Sequence, residues 1–223
     1  MNTLKEISLI IPSKNAESKL TQLLECLSGW IVIPNEIIII DSSLEKYQIS
    51  KNFGRFVKES GIRLIIIYKQ NLYPGHARNI GINSSTNDLL AFLDTSTQPT
   101  SRWLCSGINI MDLNKSDGVW GSTFYQASTF NTKIFRACTY GEFPIRTFPG
   151  SILDKKIFNR VKSYAKNYKK ILVILDSNHI HNHVLEELNI YSKLVSKNSY
   201  ILLPDTYIEY LPNGTFQNRP WGK

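Results

Sequence analysis

Three residues in the N-terminal half have the types and spacing for charge chemistry: Asp41, Arg78 and Asp94. Each aspartate closes an apolar run. Leu89-Leu90-Ala91-Phe92-Leu93 leads into Asp94-Thr95-Ser96-Thr97, and Glu36-Ile37-Ile38-Ile39-Ile40 leads into Asp41-Ser42-Ser43. Such runs read as strands covered on both faces, and ligands of open α/β sheets collect where those strands end. A carboxylate at that point can ligate a hard cation or orient a hydroxyl. It can equally start a turn, as Asp, Ser and Thr commonly do. Arg78 follows the turn pair Pro74-Gly75 within His76-Ala77-Arg78-Asn79-Ile80-Gly81-Ile82-Asn83, which reads as a helix. A helix start with a nearby Arg is an anion site, and the alternative is an Arg on a solvated face with Gly75 and Gly81 serving turns and packing. Taken together, two carboxylates and a guanidinium along one sheet edge suit a nucleoside diphosphate. One carboxylate would serve the base or ribose, one a divalent metal, and the guanidinium the phosphates.

The elements that must position these groups alternate. Ile7-Ser8-Leu9-Ile10-Ile11 reads as a strand entering the loop Pro12-Ser13-Lys14-Asn15. Leu20, Leu23, Leu24 and Leu27 fall at helical spacing before Gly29. The second strand ends at Asp41, a weakly helical segment runs to about Ser60, and Arg63–Tyr68 is a third strand. Strands and helices in this rhythm predict parallel βαβ units. Pro99–Leu104 starts another helix with a hydroxyl residue as its cap. Residues 119–150 read as irregular chain studded with aromatics, among them Trp120, Phe124, Tyr125, Phe130, Phe135, Tyr140, Phe143 and Phe148. Such chain suits a ligand pocket, and equally core or interface packing.

A second regular unit follows. Lys155–Tyr168 is basic and helical in spacing, Lys170–Asp176 is an apolar strand again ending in Asp, His181–Leu194 is an amphipathic helix, and Ser199–Leu203 is a strand before Pro204-Asp205. His179, His181 and His183 alternate near Asp176, as ligands for Zn²⁺ or Mg²⁺ or as the start of the helix that Ser177 and Asn178 would cap. The fold class expected is α/β, a mostly parallel, Rossmann-like sheet flanked by helices, followed by a partial Rossmann-like strand-helix-strand unit.

Composition narrows the partners little. With 223 residues, 42% hydrophobic and 20% charged, the chain has the balance of a folded globular protein. Its net charge of +8 suits nucleic acid, an anionic membrane or a phosphate-bearing substrate, but the 26 Lys and Arg are scattered and single out none. Cys26, Cys105 and Cys138 suggest neither a disulfide framework nor a zinc motif, which fits a reducing, cytoplasmic setting. No signal-peptide pattern opens the chain, and no apolar run reaches about 18 residues.

The ordered set Ile7–Asn15, Glu36–Ser43, Gly75–Gly81 and Phe92-Leu93-Asp94 resembles the family 2 glycosyltransferases of GT-A fold over roughly residues 5–160. That resemblance implies inverting transfer of a sugar from a nucleotide-sugar donor to a glycan hydroxyl in surface-polysaccharide synthesis. It implies donor-nucleotide contacts at Pro12, Asp41, Ser42, Gly75, Arg78 and Asn79, and donor-bound Mg²⁺ or Mn²⁺ at Asp94 and Ser96. Ser96 stands where the family usually has a second acid. Nucleic acid is not an expected partner, and peripheral membrane association is left open. The family's general base would lie beyond Phe158, where Asn159–Lys170 carry no acid; Glu142 and Asp154 are the nearest. No catalytic residue is assigned.

From Leu175-Asp176-Ser177-Asn178-His179 through Glu186-Glu187-Leu188 to Asp205-Thr206, the chain is similar to the cephalosporin hydroxylase and rhamnosyl O-methyltransferase family. This implies metal ligands at Asp176 and Asp205. S-adenosylmethionine is not expected, since that fold's glycine-rich loop belongs to a half with no counterpart here. The expected organisation is a GT-A-like nucleotide-sugar-binding domain over 1–160 that lacks its C-terminal catalytic part, then a methyltransferase-like fragment over 161–223. The crossover falls near 159–165. The alternatives are a metal- and S-adenosylmethionine-dependent sugar O-methyltransferase and a catalytically inactive recombined remnant.

Overall fold

A computed structural model of the chain describes residues 2–124, 126–139 and 144–157, with short pieces at 173–174, 188, 192, 195 and 200–202. The chain divides into two compact units, residues 1–157 and 158–223.

The first unit is built on a six-stranded sheet. In chain order its elements are β1 (Thr3–Ser13), α1 (Glu17–Cys26), a 3-10 turn at Leu27–Gly29, β2 (Val32–Asp41), α2 (Lys51–Ser60), β3 (Arg63–Tyr68), α3 (Pro74–Ser84), β4 (Leu89–Phe92), α4 (Trp103–Asn114), β5 (Gly118–Thr123), α5 (Phe130–Thr139) and β6 (Ile145–Asp154). The sheet order is β3-β2-β1-β4-β6-β5. The first four strands in that order pair in parallel, while β6 runs antiparallel to both β4 and β5.

The isoleucine runs explain the centre. Leu9, Ile10, Ile11 and Ile37–Ile40 are all fully buried, so both faces of β1 and β2 are covered. On one face Ile7, Leu9, Ile11, Ile37 and Ile39 join Leu20, Leu23 and Leu24 of α1, Phe53 of α2, and Leu104 and Met111 of α4. On the other lies α3, close enough that a β-carbon on Gly81 would stand 2.5 Å from Ile10 Cγ2 and 2.9 Å from Ile40 Cδ1. Fully burying each such isoleucine stabilises by about 1.5–3 kcal/mol. The apolar spacing of α1 is thus its buried stripe, and α2 is fixed at both ends. Ser50 Oγ accepts the Phe53 N–H at 3.2 Å, and Gly61 at φ 74° closes the helix.

A buried polar cluster ties together the opposite end of the strands. Glu36, 1% exposed, accepts hydrogen bonds from the Ser8 hydroxyl, from Thr86 N (3.0 Å) and Oγ1 (2.8 Å), and from Arg63 Nη1 (3.0 Å). Burial pushes its carboxyl up, but the Ser8 and Thr86 hydrogen bonds and the Arg63 charge outweigh this and hold it below the usual range.

Three local expectations are corrected. Pro74-Gly75 is not a turn: Pro74 opens α3, where its missing N–H leaves nothing unpaired and its fixed φ suits the helix. No hydroxyl side chain caps α4; Arg102 is its cap residue, and Trp103 N–H bonds the Thr100 carbonyl at 3.0 Å. The stretch 119–150 is not irregular, since β5, α5 and the first part of β6 occupy most of it. Within it Trp120, Phe124 and Phe130 are exposed at 50%, 65% and 77%, so they do not pack in the core. Tyr125, Tyr140 and Phe143 lie outside the described residues.

In the second unit, β7 (Val173–Ile174) pairs in parallel with β8 (Ile201–Leu202), the pairing a strand-helix-strand unit requires. Asp176, His179, His181, His183 and Asp205 lie outside the described residues, as does the segment where the general base was expected. No helix among the described residues is long and apolar enough to cross a membrane.

Candidate functional site

The strand order makes β1 the pivot of the sheet. The chain winds outward from β1 to β2 and β3, then returns through α3 to place β4 on the other side of β1. The crevice at the carboxyl ends of β1 and β4 is therefore a topological switch point, where such sheets bind ligands. Register aligns the candidate residues along this edge. Ser13 pairs with Asp41 and Asp41 with Tyr68, while Ile10 pairs with Phe92, two residues before Asp94.

Asp41 is 1% exposed, and its carboxylate organises the loop that follows it. Oδ1 accepts from Ser43 Oγ at 2.6 Å and Ser43 N at 3.1 Å; Oδ2 accepts from Tyr47 N at 3.1 Å. Ser43 Oγ in turn accepts the Asn15 N–H at 2.7 Å, and Ser42 bonds the Ser13 carbonyl through both its N–H (2.8 Å) and its hydroxyl (3.0 Å). The loops after β1 and β2 are thereby stitched into one rim. Asn15 turns within it at φ 49°, a left-handed conformation that Asn tolerates. A carboxylate has about four acceptor positions, so Asp41 with three filled is first a loop anchor. Tyr68 completes the rim. Its hydroxyl donates to the Tyr47 carbonyl at 2.9 Å, Lys46 Nζ stands 5.3 Å above its ring, and burial together with the Asp41 charge raises its phenol above the usual value.

Across the crevice, Arg78 Nη2 donates to Asp94 Oδ1 at 2.6 Å. Arg78 is thus not on a solvated face; its side chain is 16% exposed and that of Asp94 34%. The Thr97 N–H and hydroxyl close the turn after Asp94 by bonding its carbonyl. Asp94 both starts a turn and offers a charged group to the crevice. Ser96, Asn79 and Gly75 are exposed, Pro12 is half-buried, and a β-carbon on Gly75 would meet nothing within 4 Å. Exposed Lys14, Lys46 and Lys69 lie on the loops that leave the same strand ends.

The structure therefore brings Pro12, Asp41, Ser42, Arg78 and Asp94 to one edge. Glu36 was missed because an acid beginning an isoleucine run reads only as a strand start. A cavity of about 380 Å³ beside Leu89, Met111, Asp112 and Asp154 lies at the far end of β4 and includes none of the residues named for the donor site.

The donor set for a metal here is one carboxylate already in an ion pair and, at Ser96, one neutral hydroxyl. Among the described residues no three His, Cys, Asp or Glu come together to hold a metal ion. These residues fit a divalent ion poorly: such an ion is usually held by one or two carboxylates together with substrate phosphates, and here the single carboxylate already has one oxygen in an ion pair.

Comparison with known proteins gives the family. Residues 8–173 match the glycosyl transferase family 2 model, and the chain belongs to that family. Residues 135–223 match the rhamnosyl O-methyltransferase/CmcI model, so the two matches share 135–173. Glycosyltransferase AglE of Haloferax volcanii is 25% identical over 169 residues, 74% of this chain and 54% of that protein. Among solved structures, S. aureus TarS 1-349 is similar at 18% identity and TM-score 0.46, over 71% of this chain and 49% of that one. The mannosyltransferase PcManGT from Pyrobaculum calidifontis, in complex with GDP-Man and Mn²⁺, is similar at 12% identity and TM-score 0.44, over 70% and 46%. The chain spans about half the length of these relatives.

Proposed function

We propose that the first unit binds a nucleotide-sugar donor in the crevice between β1 and β4 and transfers its sugar to a glycan hydroxyl in cell-surface polysaccharide synthesis, on the cytoplasmic side. Peripheral membrane association belongs to the same reading. The observation that carries it is the Arg78–Asp94 pair facing the Asp41-held rim at the switch point of a family 2 chain. The rim at Pro12, Asp41 and Ser42 would take the nucleoside, and Arg78 with Gly75 and Asn79 at the start of α3 would take the phosphates. The test is thermal unfolding of the full chain with UDP, GDP and their sugar conjugates. Ligand at about 100 times its Kd adds about 2.7 kcal/mol, which for a chain of this size raises Tm by roughly 5–10 °C. No shift with any nucleotide overturns the reading.

A second reading, donor binding without transfer, is favoured by the rhamnosyl O-methyltransferase/CmcI match, which begins at residue 135, ahead of the place where the family's base is expected. Donor turnover, followed as release of nucleoside diphosphate with a mixed glycan acceptor, separates the two. In either case residues 1–160 form the donor domain and 161–223 the methyltransferase-like fragment, with Asp176 and Asp205 as its metal ligands.

A further inference from the structure

The donor reading leaves the negative charge of a diphosphate to be balanced, and the cation at this edge belongs to the protein. Arg78 Nη2 lies 2.6 Å from Asp94 Oδ1, and the ion pair stands where β4 ends beside β1. The guanidinium is mostly buried while the carboxylate stays about a third exposed, and their short hydrogen bond fixes the direction of the guanidinium. A divalent ion placed on Asp94 would sit against that guanidinium, and two positions on Ser96 offers a neutral hydroxyl in place of a second carboxylate. The charges around the edge lean the same way. Lys14, Lys46 and Lys69 are exposed on the adjoining loops, while the Asp41 carboxylate is buried and occupied by loop amides and a hydroxyl.

We propose that this chain holds the diphosphate of its donor without a divalent metal, with Arg78 as the cation and Asp94 as the residue that aims it. This rests on the donor reading and adds to it the source of positive charge. A guanidinium matches phosphate oxygens two at a time and cannot be stripped by chelators.

The experiment is titration calorimetry of the full chain with UDP and GDP, in millimolar EDTA and separately in millimolar Mn²⁺. The expected affinities agree within about twofold between the two buffers. Arg78→Gln, shown by circular dichroism and melting to be folded, is expected to weaken binding at least about tenfold in both buffers, with Arg78→Lys recovering only part. Ser96→Asp restores a second acid and is expected to introduce Mn²⁺ dependence of at least about fivefold. Binding that requires Mn²⁺ in the unaltered protein overturns this inference and leaves the donor reading standing. Unchanged affinity in folded Arg78→Gln overturns it too. Absence of binding in both buffers overturns the donor reading itself.

Discussion

Asp41 accepts the amide N–H of Tyr47 at 3.1 Å from a carboxylate sealed beneath the loop that joins them. Its other oxygen is occupied by Ser43, so both oxygens face donors only. Asp41→Asn, although isosteric, would turn one acceptor into a donor against another donor. It is expected to lower stability by about 1–3 kcal/mol, nearly as much as Asp41→Ala. Urea unfolding of both variants checks this; an Asn variant as stable as the unaltered protein would refute the anchoring role.

Glu36 predicts how stability varies with acid. Its carboxyl lies below the usual range in the folded chain, so folding favours the ionised form. That stabilisation is complete above the unfolded value of about 4.3 and is lost as pH falls through the lower folded value. Urea midpoints measured through this window should drop. Glu36→Gln should reduce the slope there while costing about 1–3 kcal/mol at neutral pH.

Gly75 and Gly81 share a helix and should respond oppositely. A β-carbon on Gly81 would press into Ile10 and Ile40, and Gly81→Ala is expected to destabilise by about 1–3 kcal/mol. At Gly75 the same atom meets open space, so Gly75→Ala should raise stability by about 0.4–1 kcal/mol. If phosphates approach that backbone, the more stable variant will bind nucleotide several-fold more weakly. Melting curves with and without UDP read both effects.

Trp103 joins α4 to β6. Its indole Nε1–H donates to the Gly150 carbonyl at 3.1 Å, and its ring meets Trp30 edge-on at 5.5 Å. Gly150 sits at φ 96°, where an L side chain is strained. Trp103→Phe keeps an aromatic ring and loses the hydrogen bond, an expected cost of about 0.5–1.5 kcal/mol by chemical denaturation. Gly150→Ala should cost at least as much through the backbone alone.

Much of the candidate edge was legible because it lies in the parallel half. Ile37–Ile40 and Leu89–Leu93 are short unbroken apolar runs that read as buried strands, and the residues just after strands of one parallel sheet emerge at one edge. Arg78 was harder to place. Nothing in a local pattern reveals that a helix residue meets a carboxylate sixteen positions later, because that contact depends on how α3 packs over β1 and β2. The antiparallel half was illegible for a different reason. β5 is an edge strand with glycine at 118 and 121 and only partial burial, so it carries neither a continuous apolar run nor clean alternation. The strand β6 runs through Pro149-Gly150, within the stretch that reads as irregular chain.

The place of β6 also bears on synthesis. β4 pairs with β1 on one side and with Ile152–Asp154 on the other, so its second edge is closed by residues roughly 60 positions downstream. At a translation rate of about 5–20 residues per second, Leu89, Leu90 and Ala91 wait several seconds for that partner. During this interval the nascent chain carries an apolar strand with open backbone groups, a template for association with other chains. Any fragment ending before residue 145 keeps that open edge permanently and is expected to aggregate where the longer chain does not.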